Sequence, residues 1–256
     1  MEPFCKTETD GSLLIVTMNR PDSLNALIPT SHEEMSAIWD DFYANDDLRV
    51  AILTGAGRGF CAGSDISAYT TGTSKPMPAT GGAGLTSRSH RPKPIIAAVN
   101  GHCLGGGLEI TMACDLVIAA ENACFGVPEP LVGAVALGGG IARMCRKIPY
   151  TVAMGLALTG DKISAQEAYR IGLINELAAE GEAVTVARKW AEKILRCAPL
   201  AVAKTKEICD RALEGETLEE SIAFEEASRP HIMGSADFAE GMKAFMEKRK
   251  PNWQGK

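Results

Sequence analysis

Asn100–Glu129 reads NGHCLGGGLEITMACDLVIAAENACFGVPE, and the rest of the chain is interpreted outward from this stretch. It contains three consecutive glycines, Gly105–Gly107, with Glu109 directly behind them and Glu129 at the end. The residues between the two glutamates are mainly apolar, and a carboxylate in apolar surroundings is costly unless it is paired or has a function. Two acids in one such neighbourhood indicate a catalytic pair.

The triple glycine has a physical interpretation of its own. Glycine lacks a Cβ atom and adopts positive φ readily, so a ligand can approach the main chain and meet its N–H groups. A helix that begins near Leu108 places those N–H groups at its positive end, which favours negative charge. The pattern predicts a site for a developing oxyanion, with a tightly packed turn as the alternative. The two nearby glutamates favour the first interpretation.

The size and composition of the chain predict a globular protein with a full core. Of its 256 residues 46% are hydrophobic, and no apolar run reaches the roughly 20 residues that a membrane helix needs. The net charge of −6 argues against nucleic acid as a partner, because no basic stripe offsets the repulsion from phosphates. Since the polar N-terminal residues do not resemble a signal peptide, a cytoplasmic location is expected, with no membrane partner.

Cysteine and histidine spacing predicts neither disulfides nor a metal site. None of the eight cysteines is spaced as CxxC, so reduced thiols are expected, and the four histidines form no HxxxH or HExxH motif. No P-loop or GxSxG motif is present. Gly57–Ala62 fits a loose GxGxxA pattern, but no acid that would bind a ribose lies about 20 residues further on.

The order of the predicted elements indicates an α/β protein. Leu13–Met18 is predicted to form a hairpin with Phe4–Thr7, and a capping box at Ser31 and Glu34 predicts a helix. Arg49–Thr54 follows as a buried strand.

A segment rich in Gly, Pro, Ser and Thr, Thr70–Pro94, is predicted to be a loop or lid over a site, with at most a short helix near Leu85–His90. The strand Ile95–Val99 then leads into the central stretch.

Three helices are predicted after the central stretch, and a run of four more, without strands between those four, is predicted for the C-terminal part. Their predicted ranges are Ile141–Met144, Tyr150–Leu158, a helix from Ser164 and Glu167 to Gly172, Ala183–Cys197, Leu200–Glu214, Leu218–Ser228 after a capping box at Thr217 and Glu220, and Ser235–Lys248. Their apolar faces serve either the core or a subunit interface, and periodicity does not distinguish these. Lys248–Lys250 is a candidate basic patch for a phosphorylated ligand, or a solvated helix end.

Many ordered stretches match one known family. They are Asn19–Pro21 with Leu24–Leu27, Phe60–Ile66, Pro94–Gly101, Leu104–Glu109 with Cys114–Asp115, Phe125–Glu129, Leu158–Asp161 with Ile163–Ala165, Gly172–Ile174, and Phe245–Lys250. Through them the chain resembles the enoyl-CoA hydratase/isomerase (crotonase) superfamily over essentially its whole length. The resemblance implies an α/β spiral of ββα repeats over residues 1–198 and a C-terminal helical trimerisation region over residues 199–256. It also implies a homotrimer or a dimer of trimers, an acyl-CoA substrate, and no cofactor beyond the CoA of that substrate.

The resemblance also assigns site residues. The amides of Ser64 and Gly106 match the oxyanion hole, and Glu109 and Glu129 match the two glutamates that hold water in hydratases. We assign Glu109 to activating water at C3 and Glu129 to delivering a proton at C2. Positions that match CoA or substrate contacts are Leu24, Ala26, Ala62, Asp65, Ile66, Gly105, Pro128, Phe245 and Lys248. For Phe245, ordinary core packing is the alternative.

Two alternative functions remain within this resemblance. Isomerase relatives commonly keep only the second glutamate, so the presence of both favours hydration or dehydration over Δ3,Δ2-enoyl-CoA isomerisation. A non-catalytic RNA-binding relative is disfavoured by the acidic composition. The family's usual Pro-Gly-Ala-Gly-Gly-Thr is here Val135–Gly140, VALGGG. This change and the loop at Thr70–His90 leave the acyl group open.

Overall fold

A computed structural model describes residues 2–67 and 76–256 of the chain, so residues 70–75 of the predicted loop lie outside the described residues. The strands are β1 (Cys5–Asp10), β2 (Leu13–Met18), β3 (Val50–Gly55), β4 (Gly59–Cys61), β5 (Ile95–Val99), β6 (His102–Leu104), β7 (Leu116–Ala120), β8 (Cys124–Gly126), β9 (Ile163–Ser164) and β10 (Glu176–Ala178). The helices are α1 (Pro29–Ala44), α2 (Gly106–Ala113), α3 (Gly140–Lys147), α4 (Tyr150–Thr159), α5 (Ala165–Arg170), α6 (Ala183–Leu195), α7 (Pro199–Glu214), α8 (Leu218–Met233) and α9 (Ala236–Met246).

The strands form two sheets, and the chain alternates between them. The larger sheet has the order β1-β2-β3-β5-β7-β10 and the smaller one β4-β6-β8-β9. Three successive pairs, β3 with β4, β5 with β6 and β7 with β8, each place their first strand in the larger sheet and their second in the smaller one. Within each sheet these strands are parallel to one another. The predicted spiral of ββα repeats is therefore confirmed.

The larger sheet is buried on both faces, which explains the continuous apolar runs in its strands. Val16 and Leu53 belong to the core that includes side chains of the smaller sheet. Ile15 and Ile52 alternate with them and face a second core, where Ala187 of α6 packs. The smaller sheet is consequently held by apolar packing against the larger one.

The predicted capping box at Ser31 and Glu34 is wrong. Helix α1 begins at Pro29, and the Ser31 hydroxyl donates to the Ile28 carbonyl at 2.7 Å. The Glu34 carboxylate instead accepts hydrogen bonds from the main-chain N–H groups of Phe4 and Cys5, at 2.9 and 2.7 Å. Donors distant in sequence take the place of the local cap, and a local motif does not reveal such a contact.

Residues Leu85–His90 form no helix, which agrees with the prediction of at most a short one there. A 3-10 turn at Gly82–Gly84 lies just before them, with Ala83 at a φ of 51°. The Ala83 N–H donates to His32 Nδ1 at 3.0 Å, and its carbonyl accepts from Trp39 Nε1 at 2.9 Å. These contacts attach the turn to α1, and the described part of the predicted loop is therefore anchored to the core.

Helices α6 to α9 follow the prediction to within two residues, except at one boundary. The capping box at Thr217 and Glu220 is confirmed. Helix α8 continues through Pro230 to Met233, so the predicted end at Ser228 is wrong. Because proline has no N–H, the helix lacks the hydrogen bond that residue 230 would otherwise donate to the Glu226 carbonyl.

The C-terminal residues fold back over the helices. Asp237, which is 2% exposed, accepts main-chain hydrogen bonds from Gln254 at 2.6 Å and Gly255 at 2.9 Å. Trp253 Nε1 donates to the Arg196 carbonyl at 2.8 Å. The end of the chain is thus attached to α9 and to the junction of α6 and α7.

Candidate active site

The site lies where three parallel strands of the smaller sheet end. Strand β4 is followed by Ser64, β6 by Gly105 and Gly106, and β8 by Glu129. Because β6 pairs in parallel with both β4 and β8, these residues emerge at the same edge of the sheet. Ligands of open parallel sheets commonly bind at the carboxyl ends of the strands. The topology therefore brings together residues that are far apart in the sequence.

The two main-chain N–H groups of the predicted oxyanion site lie at this edge. Gly106 begins α2, and a Cβ atom built on it lies 3.7 Å from the nitrogen of Ser64. The segment of Ser64 is held by hydrogen bonds from Leu27 N to Gly63 O and from Asp65 N to Leu27 O, both 2.8 Å. Among the described residues, no main-chain carbonyl accepts from the N–H of Ser64 or Gly106. Both donors therefore remain available to a ligand.

Glu109 lies on α2, is 8% exposed, and is oriented by a second glycine turn. Its Oε1 accepts from the N–H groups of Gly138 at 2.6 Å and Gly140 at 3.3 Å. A Cβ atom at Gly138 lies only 2.7 Å from Glu109 Oε2, and one at Gly140 lies 2.6 Å from its Cγ. A side chain at either position would therefore displace Glu109 from this orientation. The sequence revealed this glycine cluster, but no sequence pattern linked it to Glu109.

Glu129 has the opposite environment. It begins a 3-10 turn at Glu129–Val132, and its Oε2 is buried with no hydrogen-bond partner among the described residues. Burial is the largest cause that raises the pKa of Glu129; the negative charge of Glu109 raises it further, and the main-chain N–H of Glu129 opposes both. Its carboxyl group therefore keeps a proton to higher pH than an ordinary glutamate.

The raised pKa of Glu129 predicts a pH-dependent change in stability. The folded state binds this proton more tightly than the unfolded chain, so the stabilisation is present at low pH and is lost as pH rises through the folded pKa. Above that pKa the ionised form destabilises the fold, and Glu129→Gln is expected there to unfold at a higher temperature than wild type. Thermal unfolding from about pH 8 to about pH 4.5 should show this difference narrowing. The exposed Glu121→Gln is the control, and a difference independent of pH would contradict the prediction.

The other end of α2 is held by two cations. Arg91 Nη1 donates to the Ala113 carbonyl at 2.6 Å. Lys147 Nζ donates to the carbonyls of Met112 at 3.0 Å and Cys114 at 3.3 Å. Cations at a helix C-terminus satisfy its free carbonyls and complement the helix dipole. The helix that presents the Gly106 amide and Glu109 is therefore fixed at both ends.

Comparison with known proteins identifies the family. The family model described as enoyl-CoA hydratase/isomerase matches residues 8–256. The chain belongs to this family. Carnitinyl-CoA dehydratase of Proteus mirabilis is 39% identical over 255 residues and covers 97% of each chain. (E)-Benzylidenesuccinyl-CoA hydratase of Thauera aromatica is 39% identical over 259 residues and covers 97% of this chain and 98% of the relative. A crystal structure of an enoyl-CoA hydratase from Mycobacterium marinum has a TM-score of 0.94 at 42% identity, with 100% of both chains covered.

The enoyl-CoA hydratase/isomerase fold brings several predicted CoA contacts beside Ser64. The N–H of Ala62 donates to the Leu24 carbonyl at 3.0 Å. Arg20, which the sequence analysis did not single out, donates to the Ala26 carbonyl at 2.7 Å and pairs with Asp65 at 3.2 Å. These contacts join the segment after β2 to the segment after β4. An Arg–Asp pair 45 residues apart carries no local sequence signal.

The remaining predicted contacts are distributed differently. Ile66 is 66% exposed and Pro128 directly precedes Glu129. Phe245 at the end of α9 is 79% exposed, so the alternative of ordinary core packing is wrong. Lys248 is also exposed, and no described hydrogen bond or ion pair joins it to the two glutamates. These four positions keep their ligand roles as predictions.

The candidate basic patch at Lys248–Lys250 is partly neutralised. Arg249 pairs with Glu240 and Glu247, each at 2.6 Å, and is therefore committed to the C-terminal fold.

Within residues 2–67 and 76–256, no group of three or more His, Cys, Asp or Glu side chains is placed to hold a metal ion. In the same residues no helix is long and apolar enough to cross a membrane.

Proposed function

We propose that this chain adds water to, or removes it from, the 2,3-double bond of an acyl-CoA thioester. The observation that carries the proposal is the pair of carboxyl groups with unlike environments, Glu109 and Glu129, at the strand edge that also presents the amides of Ser64 and Gly106. Hydratases and dehydratases of CoA thioesters are among the similar relatives. Membership of the fold family by itself is weaker support for this reaction than the site residues are, because one fold serves several reactions.

The reaction balances with these groups alone. The thioester oxygen accepts hydrogen bonds from the two amides, which stabilise negative charge as it develops there. Glu109 takes a proton from water while the water oxygen bonds to C3, and the electrons of the double bond move toward the thioester. The carboxyl proton of Glu129 is then delivered to C2. The enzyme is left with a protonated Glu109 and an ionised Glu129, and proton exchange with solvent restores the starting state. No metal or redox cofactor is needed for these steps.

The environments support this division of roles. Two main-chain N–H groups orient Glu109, and its Oε2 has no described partner, so that oxygen is available for water. Glu129 has a raised pKa because of burial, which suits a proton donor near neutral pH.

The test is the ultraviolet band of the conjugated thioester. Purified protein mixed with a short 2-enoyl-CoA should remove the band as the 3-hydroxyacyl product forms. Longer and branched acyl groups, together with the carnitinyl and benzylidenesuccinyl groups named for the relatives, define the acyl preference. If the band persisted with every one of these substrates, the proposal would be overturned. Formation of a conjugated band from a 3-enoyl-CoA would instead identify an isomerase that uses Glu129 alone, and RNA binding that survives physiological salt would revive the non-catalytic alternative.

We also propose that the chain assembles as a homotrimer or a dimer of trimers through residues 199–256. Apolar side chains exposed on the C-terminal helices support this assembly; they are Leu218, Ile222, Met233, Phe238, Met242, Phe245 and Met246. Large apolar side chains exposed in this number on neighbouring helices favour an interface. In this proposal Phe245 and Lys248 reach the CoA of a neighbouring subunit. Sedimentation equilibrium gives the mass, and a monomer at micromolar concentration would contradict the assembly. The cytoplasmic location stays a prediction.

A further inference from the structure

Arg143 lies on α3, the helix that begins in the glycine turn that orients Glu109. The turn comprises Gly138–Gly140, and its middle residue, Gly139, has a φ of 80°. A Cβ atom built on Gly139 lies only 2.7 Å from Arg143 Nη1. The guanidinium group therefore packs against the turn, whose two outer glycines donate their N–H groups to the Glu109 carboxylate.

The other nitrogen of this guanidinium is held by a fixed segment. Arg143 Nη2 donates to the Thr86 carbonyl at 2.8 Å. Thr86 is 5% exposed, and its hydroxyl accepts from the Gly82 N–H at 2.7 Å. Gly82 belongs to the turn that His32 and Trp39 attach to α1 through Ala83. Arg143 thus links the glycine turn to a segment that is itself anchored in the core.

The surroundings of Arg143 disfavour the charged form of its guanidinium group. Burial is the largest cause that lowers the pKa of its guanidinium, and the nearby cation Arg91 lowers it further, whereas Glu214, Glu109 and Asp210 oppose these effects. A partly buried cation beside another cation is unfavourable unless its contacts compensate. The glycine turn connects Arg143 to Glu109, and the opposite charges of the two side chains attract each other.

We propose that Arg143 is a positioning residue that acts through the Gly138–Gly140 turn and holds the Glu109 carboxylate in the orientation that activates water. This inference rests on the proposed function. It predicts that Arg143 affects the step at C3 and leaves the step at C2 largely unchanged, because Glu129 and the amides of Ser64 and Gly106 do not depend on this turn.

The test compares two reactions of one protein. Hydration of a 2-enoyl-CoA needs both glutamates, whereas exchange of the C2 hydrogens of a saturated acyl-CoA with deuterium oxide needs the amides and Glu129 only. The variants are Arg143→Gln and Arg143→Lys, with Arg146→Gln as the matched control. Arg146 is exposed on the same helix, and its described side-chain hydrogen bond goes to the Ala142 carbonyl of its own helix.

Arg143→Gln is expected to lower kcat for hydration by about 10- to 100-fold, the range that a displaced catalytic group produces. KM and the rate of C2 exchange should stay within about two-fold of wild type. Arg143→Lys should recover part of kcat because it keeps the charge, and Arg146→Gln should behave as wild type. If Arg143→Gln yields no folded protein, Arg143→Lys carries the same comparison.

Two outcomes would overturn the inference. Wild-type hydration in Arg143→Gln would show that the turn does not need the guanidinium. Equal losses of hydration and exchange would show a general structural role.

Thermal unfolding provides a readout that does not depend on activity. The unfolding shifts of Arg143→Gln and Glu109→Gln should be non-additive in the double variant if the two residues are coupled. A wild-type protein without hydratase activity would refute the proposed function, and the unfolding cycle would still decide whether Arg143 acts on Glu109, with additive shifts overturning that link.

Discussion

Replacing Glu129 with glutamine is expected to lower kcat for hydration by about 10²- to 10⁴-fold, the usual contribution of a proton-transfer group. Glutamine keeps the size of the side chain but supplies no acidic proton to C2. Hydration should be followed by loss of the conjugated-thioester band under saturating substrate. Glu121→Gln, an exposed substitution of the same type, is the matched control and should keep the wild-type rate.

The pH profile tests the same role from another direction. Hydration requires protonated Glu129, so the wild-type rate should fall as pH rises above the raised pKa of this residue. The residual rate of Glu129→Gln should lack this decline. A variant that retained the wild-type rate would remove Glu129 from the mechanism. If Glu129→Gln lost hydration while Glu109→Gln kept the wild-type rate, both proton transfers would be assigned to Glu129.

Substituting Gly105 with alanine is expected to lower kcat by at least about 100-fold, the scale seen when one oxyanion donor is lost. The backbone of Gly105 has φ 52° and ψ −124°, a conformation that side-chain-bearing residues avoid. In addition, its new Cβ atom would lie 2.7 Å from Glu129 Oε1. The substitution therefore moves the carboxyl group, the start of α2, or both.

Gly133→Ala is the matched control for Gly105→Ala. Gly133 has a φ of 74° and nothing lies within 4 Å of a Cβ atom built there. Its alanine variant carries the backbone strain, about 1 to 2 kcal/mol, without placing an atom in the site. Both variants should unfold at a lower temperature than wild type. Only Gly105→Ala should also lose activity per folded molecule. Equal kcat values for the two folded variants would contradict the close contact between Gly105 and Glu129.

Local sequence signals predicted those parts of the fold that depend on nearby residues. The hairpin of β1 and β2 forms around the Asp10-Gly11 turn, and Thr217 caps α8 together with Glu220. The three glycines and Glu109 are close in sequence because one short helix, α2, presents both the amide and the carboxylate. Where the contacts are distant, the same reasoning failed, as at Ser31 and Glu34.

The sequence by itself determined which chemical groups are present: two glutamates in apolar surroundings, a glycine run that exposes main-chain donors, and continuous apolar strands that require burial. Only the tertiary structure decided their geometry. The Gly138 amide that orients Glu109 is 29 residues away from it, and Arg143 reaches Thr86 across 57 residues. Contacts of this kind arise because parallel strands end at one edge and their following turns pack together, and no local pattern specifies which turn meets which carboxylate.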